Sequence, residues 1–227
     1  LHLSIRRQRQ MCIRDSLYMS NDYGSGLGDN FIENWSGSVC TKAAYDPAEG
    51  KYDATALAQS AIDDGCDSVL LISYATDGAA IIEALSAQGF SGNIFGADGV
   101  ADAAFTTSFT DTSAVDGLVA TKPRPAEGSS AKDSFETAYL AAGGADGAIY
   151  TGETYDAIKI AAAAIVSGGD ILTALNSTGI NYVGASGTHT FDANGDVLGT
   201  GYEVCQFDGT DFSCPRVWTA DGGLGSK

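Results

Sequence analysis

The sequence predicts an α/β protein with an open parallel sheet and helices on both faces. From Leu17 onward, short apolar runs alternate with helical patterns in the order β-α-β-α-β-α-β, which is typical of this class. The run at 68–73 (SVLLIS) is continuously apolar, as expected of a parallel strand buried on both faces. After Asp53, apolar residues recur at positions 54, 57, 58, 61 and 62, which predicts a helix with one buried face.

Five strands and three helices are predicted in this first part. The strands are apolar or β-branched runs at 17–20, 39–45, 68–73, 93–97 and 118–121. The first helix is expected at about 27–35, after a glycine-rich turn. The second follows Asp53, whose carboxylate can cap it, and the third is expected to be capped by Asp77 and to end at Gly89.

The pattern changes after Pro123. Helices are predicted at 130–142, 154–166 and 170–175, followed by antiparallel β runs at 187–191, 201–207 and 212–217. The stretch 122–125 (KPRP) is interpreted as a crossover between two lobes. The predicted organisation is a segment at 1–16 that is foreign to the protein, an α/β lobe at 17–121, helices of a second lobe at 122–180, and β segments crossing back at 181–227.

The first sixteen residues do not follow the rest of the sequence. They carry four Arg and one Asp and show no helical or alternating apolar period. They also lack the apolar core and the small-residue cleavage site of a secretory signal. The stretch RQRQMCIRDS is similar to the translation of a transposon end used in sequencing libraries. We therefore interpret residues 1–16 as non-native sequence joined to a gene broken at its 5′ side.

The charge of the chain excludes some partners. It has 12 Lys and Arg against 29 Asp and Glu, and without the first sixteen residues the balance is 8 against 28. Such a surface repels phosphate backbones, so nucleic acid is not expected as a partner. The longest apolar stretch, at 160–166, is far shorter than the roughly 18–20 residues of a membrane span.

Two of the five cysteines are placed for a disulfide. Cys205 and Cys214 flank a strong hairpin-turn signal at 208–211 (DGTD). With Gly209 and Thr210 as a two-residue loop they face each other, at a Cβ separation of about 4.5–5.5 Å that is near bridging range. A disulfide there indicates an oxidising compartment, and two reduced cysteines in an edge hairpin are the alternative. The pairing of Cys40 and Cys66 is left open.

Three side chains are predicted to meet where parallel strands end. Tyr23 follows the first strand, Tyr74 the third and Asp98 the fourth, and open parallel sheets bind ligands beyond these strand ends. Tyrosine offers an apolar face with a polar tip, and a carboxylate accepts hydrogen bonds from an ammonium group. The rim therefore suits a small cationic or zwitterionic ligand. The alternative is that these are ordinary loop residues at an exposed edge.

Motifs for enzymatic chemistry are incomplete. The glycine-rich stretch 24–28 would need glycine at Asp29 to match a dinucleotide fingerprint. The acidic run at 192–196 has Val197 at the glycine position of an EF-hand loop. Beyond the first sixteen residues the only histidine is His189, in a predicted strand, which leaves little material for a metal site or a Ser-His pair. The sequence therefore predicts neither an enzyme nor a cofactor or metal site.

Several segments, taken together and in order, resemble the branched-chain amino-acid (leucine, isoleucine, valine) binding proteins of ABC transporters, which have the type I periplasmic binding protein fold. The matching segments are 22–27 (DYGSGL), 45–47 (YDP), 67–74 (DSVLLISY), 84–90, 96–99 (GADG), 155–157 (YDA) and 187–196 (GTHTFDANGD). The resemblance covers nearly everything from Leu17 on. It implies two lobes that close around an amino acid, delivery to a membrane permease and a periplasmic location.

The resemblance assigns roles to individual residues, and the sequence also departs from the family's pattern in two places. Tyr23 and Tyr74 match positions where aromatic residues touch the ligand, Asp98 matches the acid that pairs with the α-ammonium, and Tyr150 matches an aromatic position of the other lobe. Asp98 replaces a commoner Glu, which shortens the reach of the carboxylate by one methylene and bears on the size of the ligand. The family's opening segment, which holds the ligand's α-carboxylate, has no match. The expected structure is one nearly complete parallel-sheet lobe, a partial second lobe and C-terminal β-hairpins.

Two alternative functions and one physical property of the chain are also predicted. A ligand-sensing receptor domain of the same fold is one alternative function, and a nucleotide-dependent α/β enzyme is another. The helices at 130–142 and 154–166 are expected to expose an apolar face and to make the chain prone to aggregation.

Overall fold

The computed structural model describes residues 15–39, 41–65, 67–115, 117–197 and 201–227, which form ten strands and seven α-helices. Cys40, Cys66 and most of the segment at 1–16 lie outside these ranges. The chain divides into two compact units. Unit 1 contains the described residues up to Thr121 together with Cys205–Ser213, and unit 2 contains Lys122–Val204 together with Cys214–Lys227. No helix within the described ranges is long and apolar enough to span a membrane.

The parallel sheet predicted from the apolar runs is present. Its strands are β1 (Asp15–Met19), β2 (Thr41–Tyr45), β3 (Ser68–Ile72), β4 (Asn93–Gly96) and β5 (Val119–Pro123). They pair in parallel in the order β2-β1-β3-β4-β5. Every residue of β3 is buried, because helices cover both faces of a central parallel strand. The predicted α/β class is therefore confirmed.

Four α-helices belong to unit 1: α1 (Asp22–Asn34), α2 (Ala54–Asp63), α3 (Ala75–Ala87) and the short α4 (Ala103–Thr107). The predicted cap of α2 is confirmed, since the Asp53 carboxylate accepts hydrogen bonds from the backbone N–H groups of Thr55 and Ala56. The core lies between these helices and the sheet. Its fully buried side chains include Leu17, Met19, Val69, Leu71, Ile81, Ile82, Leu85 and Phe105.

Two predicted helix starts are wrong. α1 begins at Asp22, not near position 27, because the Asn21 side chain accepts a hydrogen bond from Gly24 N at 2.9 Å and caps the helix there. The glycines taken for a turn lie inside α1. The third helix begins at Ala75 with Tyr74 in the cap position. Asp77 is therefore not its N-cap but a buried residue of its first turn.

Unit 2 contains three α-helices, α5 (Ser130–Ala141), α6 (Thr151–Ser167) and α7 (Ile171–Thr178). The predicted strand at 187–191 reduces to β7 (Thr188–His189), which pairs antiparallel with β6 (Tyr182–Val183). The apolar exposure expected of the helices at 130–142 and 154–166 is present on α5, at Leu140, and on α6, and α7 also has exposed apolar side chains. Exposed side chains there include Ile158, Ile165, Val166 (87% exposed) and Leu172.

The C-terminal region forms β8 (Tyr202–Phe207), β9 (Phe212–Thr219) and β10 (Gly223–Ser226). Asp208 N donates to Asp211 O at 3.2 Å, so Gly209 and Thr210 form the predicted two-residue loop. In unit 1, Phe207 N donates to Leu118 O. Within unit 1 this contact places the end of β8 beside β5, at the opposite edge of the sheet from β2.

Candidate functional site

The structure brings Tyr23, Tyr74 and Asp98 together at the carboxyl edge of the sheet in unit 1. Tyr23 lies in the first turn of α1, Tyr74 between β3 and α3, and Asp98 just after β4. The Tyr23 hydroxyl donates a hydrogen bond to Asp98 Oδ1 at 2.7 Å. The rings of Tyr23 and Tyr74 stack with centroids 5.7 Å apart and an interplanar angle of 6°. We call these three residues the rim.

The Tyr23 hydroxyl is held from two sides. It donates to Asp98 and accepts a hydrogen bond from the backbone N–H of Gly99 at 3.1 Å. A side chain at position 99 would not fit, because its Cβ would lie 2.4 Å from the carbonyl oxygen of Ser73 and 3.1 Å from the Tyr23 oxygen. Gly99 therefore lets the turn after β4 approach both tyrosine-bearing turns closely.

A second glycine places Tyr23. A Cβ on Gly24 would lie 2.0 Å from the Met19 carbonyl oxygen, so α1 can begin directly against the end of β1 only with glycine at this position. The Asn21 cap lies two residues before Tyr23, so the helix begins at Asp22 and places Tyr23 in its first turn. These local features direct Tyr23 across the sheet edge towards Asp98.

The rim offers hydrogen-bond acceptors beside an exposed aromatic ring. Burial raises the pKa of Tyr23 far above its usual value, and the hydrogen bond to Asp98 raises that pKa further. Tyr23 therefore stays protonated and remains a donor to Asp98. Asp98 is half-buried, whereas half of the Tyr74 surface is exposed. Such a site can pair a carboxylate with a cationic group and cover an apolar group with the Tyr74 ring.

A buried pair behind the rim was missed in the sequence. The Tyr45 hydroxyl donates a hydrogen bond to Asp77 Oδ2, and both residues are only 5% exposed. Burial raises the pKa of the Asp77 carboxyl, and it raises the pKa of the Tyr45 hydroxyl as well. The two residues are 32 positions apart, so spacing carries no signal for their contact.

In unit 2, Tyr150 borders a cavity of about 330 Å³. It occupies the N-cap position of α6 in the left-handed conformation with φ 61°, which costs a bulky residue about 1–3 kcal/mol and often marks a functional position. Its side chain is 40% exposed. Other residues that line the cavity include Lys122, Lys132, Phe135, Tyr139 and Ser186.

A polar cluster in unit 2 fixes α6 to the turn before β7. Asp156 is 2% exposed and accepts hydrogen bonds from Ala185 N at 2.8 Å, from Ser186 N at 2.7 Å and from Ser186 Oγ at 2.6 Å. His189 Nε2 lies 2.8 Å from Ser186 Oγ and 3.3 Å from Asp156 Oδ2. Burial raises the pKa of Asp156, but the hydrogen bonds from Ser186, Ala185 and His189 outweigh it and bring that pKa below its ordinary value.

These three residue types form no catalytic triad. In a triad the imidazole lies between serine and carboxylate and uses both of its nitrogens. Here one nitrogen of His189 faces both partners, and the Ser186 hydroxyl donates directly to Asp156. The serine proton is therefore held by the carboxylate and not by a base, and we interpret the cluster as structural.

Both cysteines of the predicted hairpin lie within the described residues. Cys205 lies on β8 and Cys214 on β9, and each is disulfide-bonded in the structure. Cysteines in this form offer no thiolate for metal binding or nucleophilic chemistry.

Comparisons with known proteins give the family and the fold. A family model described as periplasmic binding protein matches residues 17–211. No curated protein sequence matches the chain. Among solved structures, a leucine binding protein, LivK from Thermotoga maritima, superposes with a TM-score of 0.77 at 24% identity, over 92% of this chain and 61% of its own.

Two other solved structures differ in their ligands. The branched-chain amino acid substrate binding protein LivJ from Streptococcus pneumoniae, in complex with isoleucine, has a TM-score of 0.72 at 17% identity, over 91% of this chain and 60% of its own. A solute binding protein from Rhodopseudomonas palustris BisB5, in complex with 3,4-dihydroxybenzoic acid, also has a TM-score of 0.72 at 17% identity, over 96% and 61%.

This chain therefore spans about 60% of the length of these three solved proteins. At these identities the solved structures show the fold, which is that of type I periplasmic binding proteins. Because the family model matches well over half of the sequence, the chain belongs to the periplasmic binding protein family.

Proposed function

We propose that this chain is part of the extracytoplasmic solute-binding component of an ABC transporter, which captures a branched-chain or similar small amino acid and delivers it to a permease. The observation that carries this proposal is the rim, where the Asp98 carboxylate and the exposed face of Tyr74 lie on either side of Tyr23. The family and its transporter relatives support the transport role. A periplasmic location fits the disulfide between Cys205 and Cys214.

The charge of the rim favours an amino acid over an aromatic acid. Relatives with this fold include proteins in complex with isoleucine and with 3,4-dihydroxybenzoic acid, so the fold allows both ligand classes. In this chain Asp98 contributes an acceptor, and the Tyr23 hydroxyl donates its proton to Asp98. An ammonium group would be attracted to this site, whereas a ligand whose only charge is a carboxylate would be repelled.

The proposal predicts amino-acid binding that depends on Asp98. We would measure melting shifts and calorimetric affinities of the complete gene product that contains residues 17–227, with leucine, isoleucine and valine. Asp98→Asn should weaken binding about 10- to 100-fold, since a hydrogen bond to a charged group contributes about 1.5–3 kcal/mol. Glu33→Gln removes an exposed charge from the far half of α1 and should leave the affinity unchanged.

Two results would contradict the proposal. One is the absence of any melting shift across a panel of amino acids, amides and organic acids. The other is an unchanged affinity in the Asp98→Asn variant, which would mean that the ligand binds elsewhere.

A further inference from the structure

We propose that Asp77, held by Tyr45, is a positioning residue that fixes the turn presenting Tyr74 to the rim. The inference rests on the proposed function for what the rim binds, whereas the contacts that carry it are independent of any ligand. It assigns a role to a buried pair that does not itself border the rim.

Asp77 belongs to the same helix start as Tyr74. Tyr74 is the N-cap residue of α3 and Asp77 lies three positions later, in the first turn. Within the described part of the chain the Tyr74 side chain makes no capping bond. The next residue, Gly78, donates its backbone N–H to the Tyr74 carbonyl oxygen at 2.9 Å, so the turn that contains Asp77 is hydrogen-bonded to Tyr74. Such a bond between residues four positions apart closes the first helical turn, so holding Asp77 within that turn restrains the backbone of Tyr74.

Tyr45 anchors the Asp77 side chain. Tyr45 ends β2, at the edge of the sheet, and its hydroxyl donates to Asp77 Oδ2. The Tyr45 ring packs against Tyr52 with centroids 5.3 Å apart. The Asp77 side chain is thus held by the Tyr45 hydroxyl, and its backbone belongs to the first turn of α3.

Tyr45 links the two turns that carry the tyrosines of the rim. Its side chain reaches Tyr74 through Asp77, and its carbonyl oxygen accepts a hydrogen bond from Ser20 N at 2.7 Å. Ser20 directly precedes Asn21, the cap of the helix that carries Tyr23. Tyr45 therefore contacts the beginnings of both turns whose rings stack at 5.7 Å. Loss of its hydroxyl should change the Tyr74 turn and leave the Ser20 contact in place.

The position of the rings can be measured without a ligand. The chain has ten tyrosines, and incorporation of 3-fluorotyrosine gives each a ¹⁹F NMR signal. The signals of Tyr23 and Tyr74 are assigned by their loss in Tyr23→Phe and Tyr74→Phe variants. We expect Tyr45→Phe to move the Tyr74 signal, with a smaller change at Tyr23.

Two further variants separate positioning from general damage. Tyr52→Phe removes a neighbouring hydroxyl that forms no hydrogen bond with Asp77 within the described residues, and it should leave both rim signals in place. Asp77→Ala should move the Tyr74 signal, and Asp77→Asn should restore much of its position because the amide oxygen can still accept. Rim signals that stay unchanged in folded Tyr45→Phe would overturn the proposal, even if Asp77→Ala does not fold.

Affinity measurements then distinguish the two proposals. If the protein binds an amino acid, Tyr45→Phe should weaken binding by about three- to tenfold, which corresponds to one ordinary hydrogen bond, and Tyr52→Phe should not. If no amino acid binds but the Tyr74 signal moves as expected, the proposed function fails and the positioning role stands. If the affinity and the rim signals are the same in Tyr45→Phe and in the unmodified protein, the positioning role fails.

Discussion

The replacement of Asp156 by asparagine tests the polar cluster of unit 2 most directly. The Asp156 carboxylate accepts from two buried backbone N–H groups through different oxygens, Ala185 N to Oδ1 and Ser186 N to Oδ2. Asparagine keeps one acceptor oxygen and places an NH₂ group against the other donor. A buried N–H left without an acceptor costs about 1–3 kcal/mol, and hydrogen bonds to a charged group are worth more than those to a neutral one.

We therefore expect Asp156→Asn to lower the free energy of unfolding by about 2–4 kcal/mol. The measurement is urea unfolding near neutral pH, followed by far-ultraviolet circular dichroism. Asp133→Asn, which changes an exposed acid on α5, serves as the matched control and should stay within about 0.5 kcal/mol of the unmodified protein. A loss below about 0.5 kcal/mol for Asp156→Asn would show that the cluster does not hold α6 in place.

Four other predictions concern pH, redox state and self-association. The pKa of Asp156 lies below its ordinary 3.8, so its contribution to stability is present above that value and is lost as the pH falls through the lower folded pKa. Asp156→Asn should remove this loss of stability in acid, measured by urea titrations at different pH values. The pKa of Asp77 is raised, so its contribution to stability has the opposite pH dependence and is lost as the pH rises through the folded pKa. Asp77→Asn should flatten this dependence of the free energy of unfolding on pH. An unaltered pH dependence in either variant would contradict the assignment of that residue. Peptide mapping without reductant should find Cys205 linked to Cys214, and recovery of both as free thiols would exclude the bond. Reduction should lower the free energy of unfolding by about 2–3 kcal/mol for a loop of this length. Because Ile165 and its apolar neighbours on α6 are exposed, the chain should self-associate in light scattering, and Ile165→Glu should reduce the association; a monomeric unmodified chain would contradict this.

Local periodicity was sufficient to predict the parallel sheet, but not how its helices begin. The strands were readable because a buried parallel strand is apolar throughout, as 68–72 is. The glycines at 24, 26 and 28 indicated a turn, yet they lie in α1, because the Asn21 cap starts the helix early and Gly24 must fit against the Met19 carbonyl oxygen. An aspartate before an apolar stripe indicates a cap, but Asp77 turns inward to meet Tyr45.

The meeting of the rim residues was predictable, whereas their support was not. Parallel topology alone places the residues after β1, β3 and β4 at one edge of the sheet, so Tyr23, Tyr74 and Asp98 could be named from sequence. The buried contacts that hold the helices join residues 29 to 33 positions apart. No spacing rule applies at that distance, because such contacts depend on how the elements pack.

The direction of the hydrogen bonds in the rim indicates the class of ligand more than the residue types do. A tyrosine beside a ligand can donate to the ligand's carboxylate, which is how a phenol would favour an aromatic acid. Tyr23 is not available for this role, because its proton goes to Asp98 and its oxygen accepts from Gly99 N. Burial raises the Tyr23 pKa and keeps this direction of donation fixed. What the rim presents to a ligand is then the negative charge of Asp98 and the face of Tyr74, and a ligand that satisfies both needs a cationic group next to a small apolar one. An α-amino acid with an aliphatic side chain carries both groups on its α-carbon. This match is the physical reason for placing such amino acids ahead of benzoates as candidate ligands.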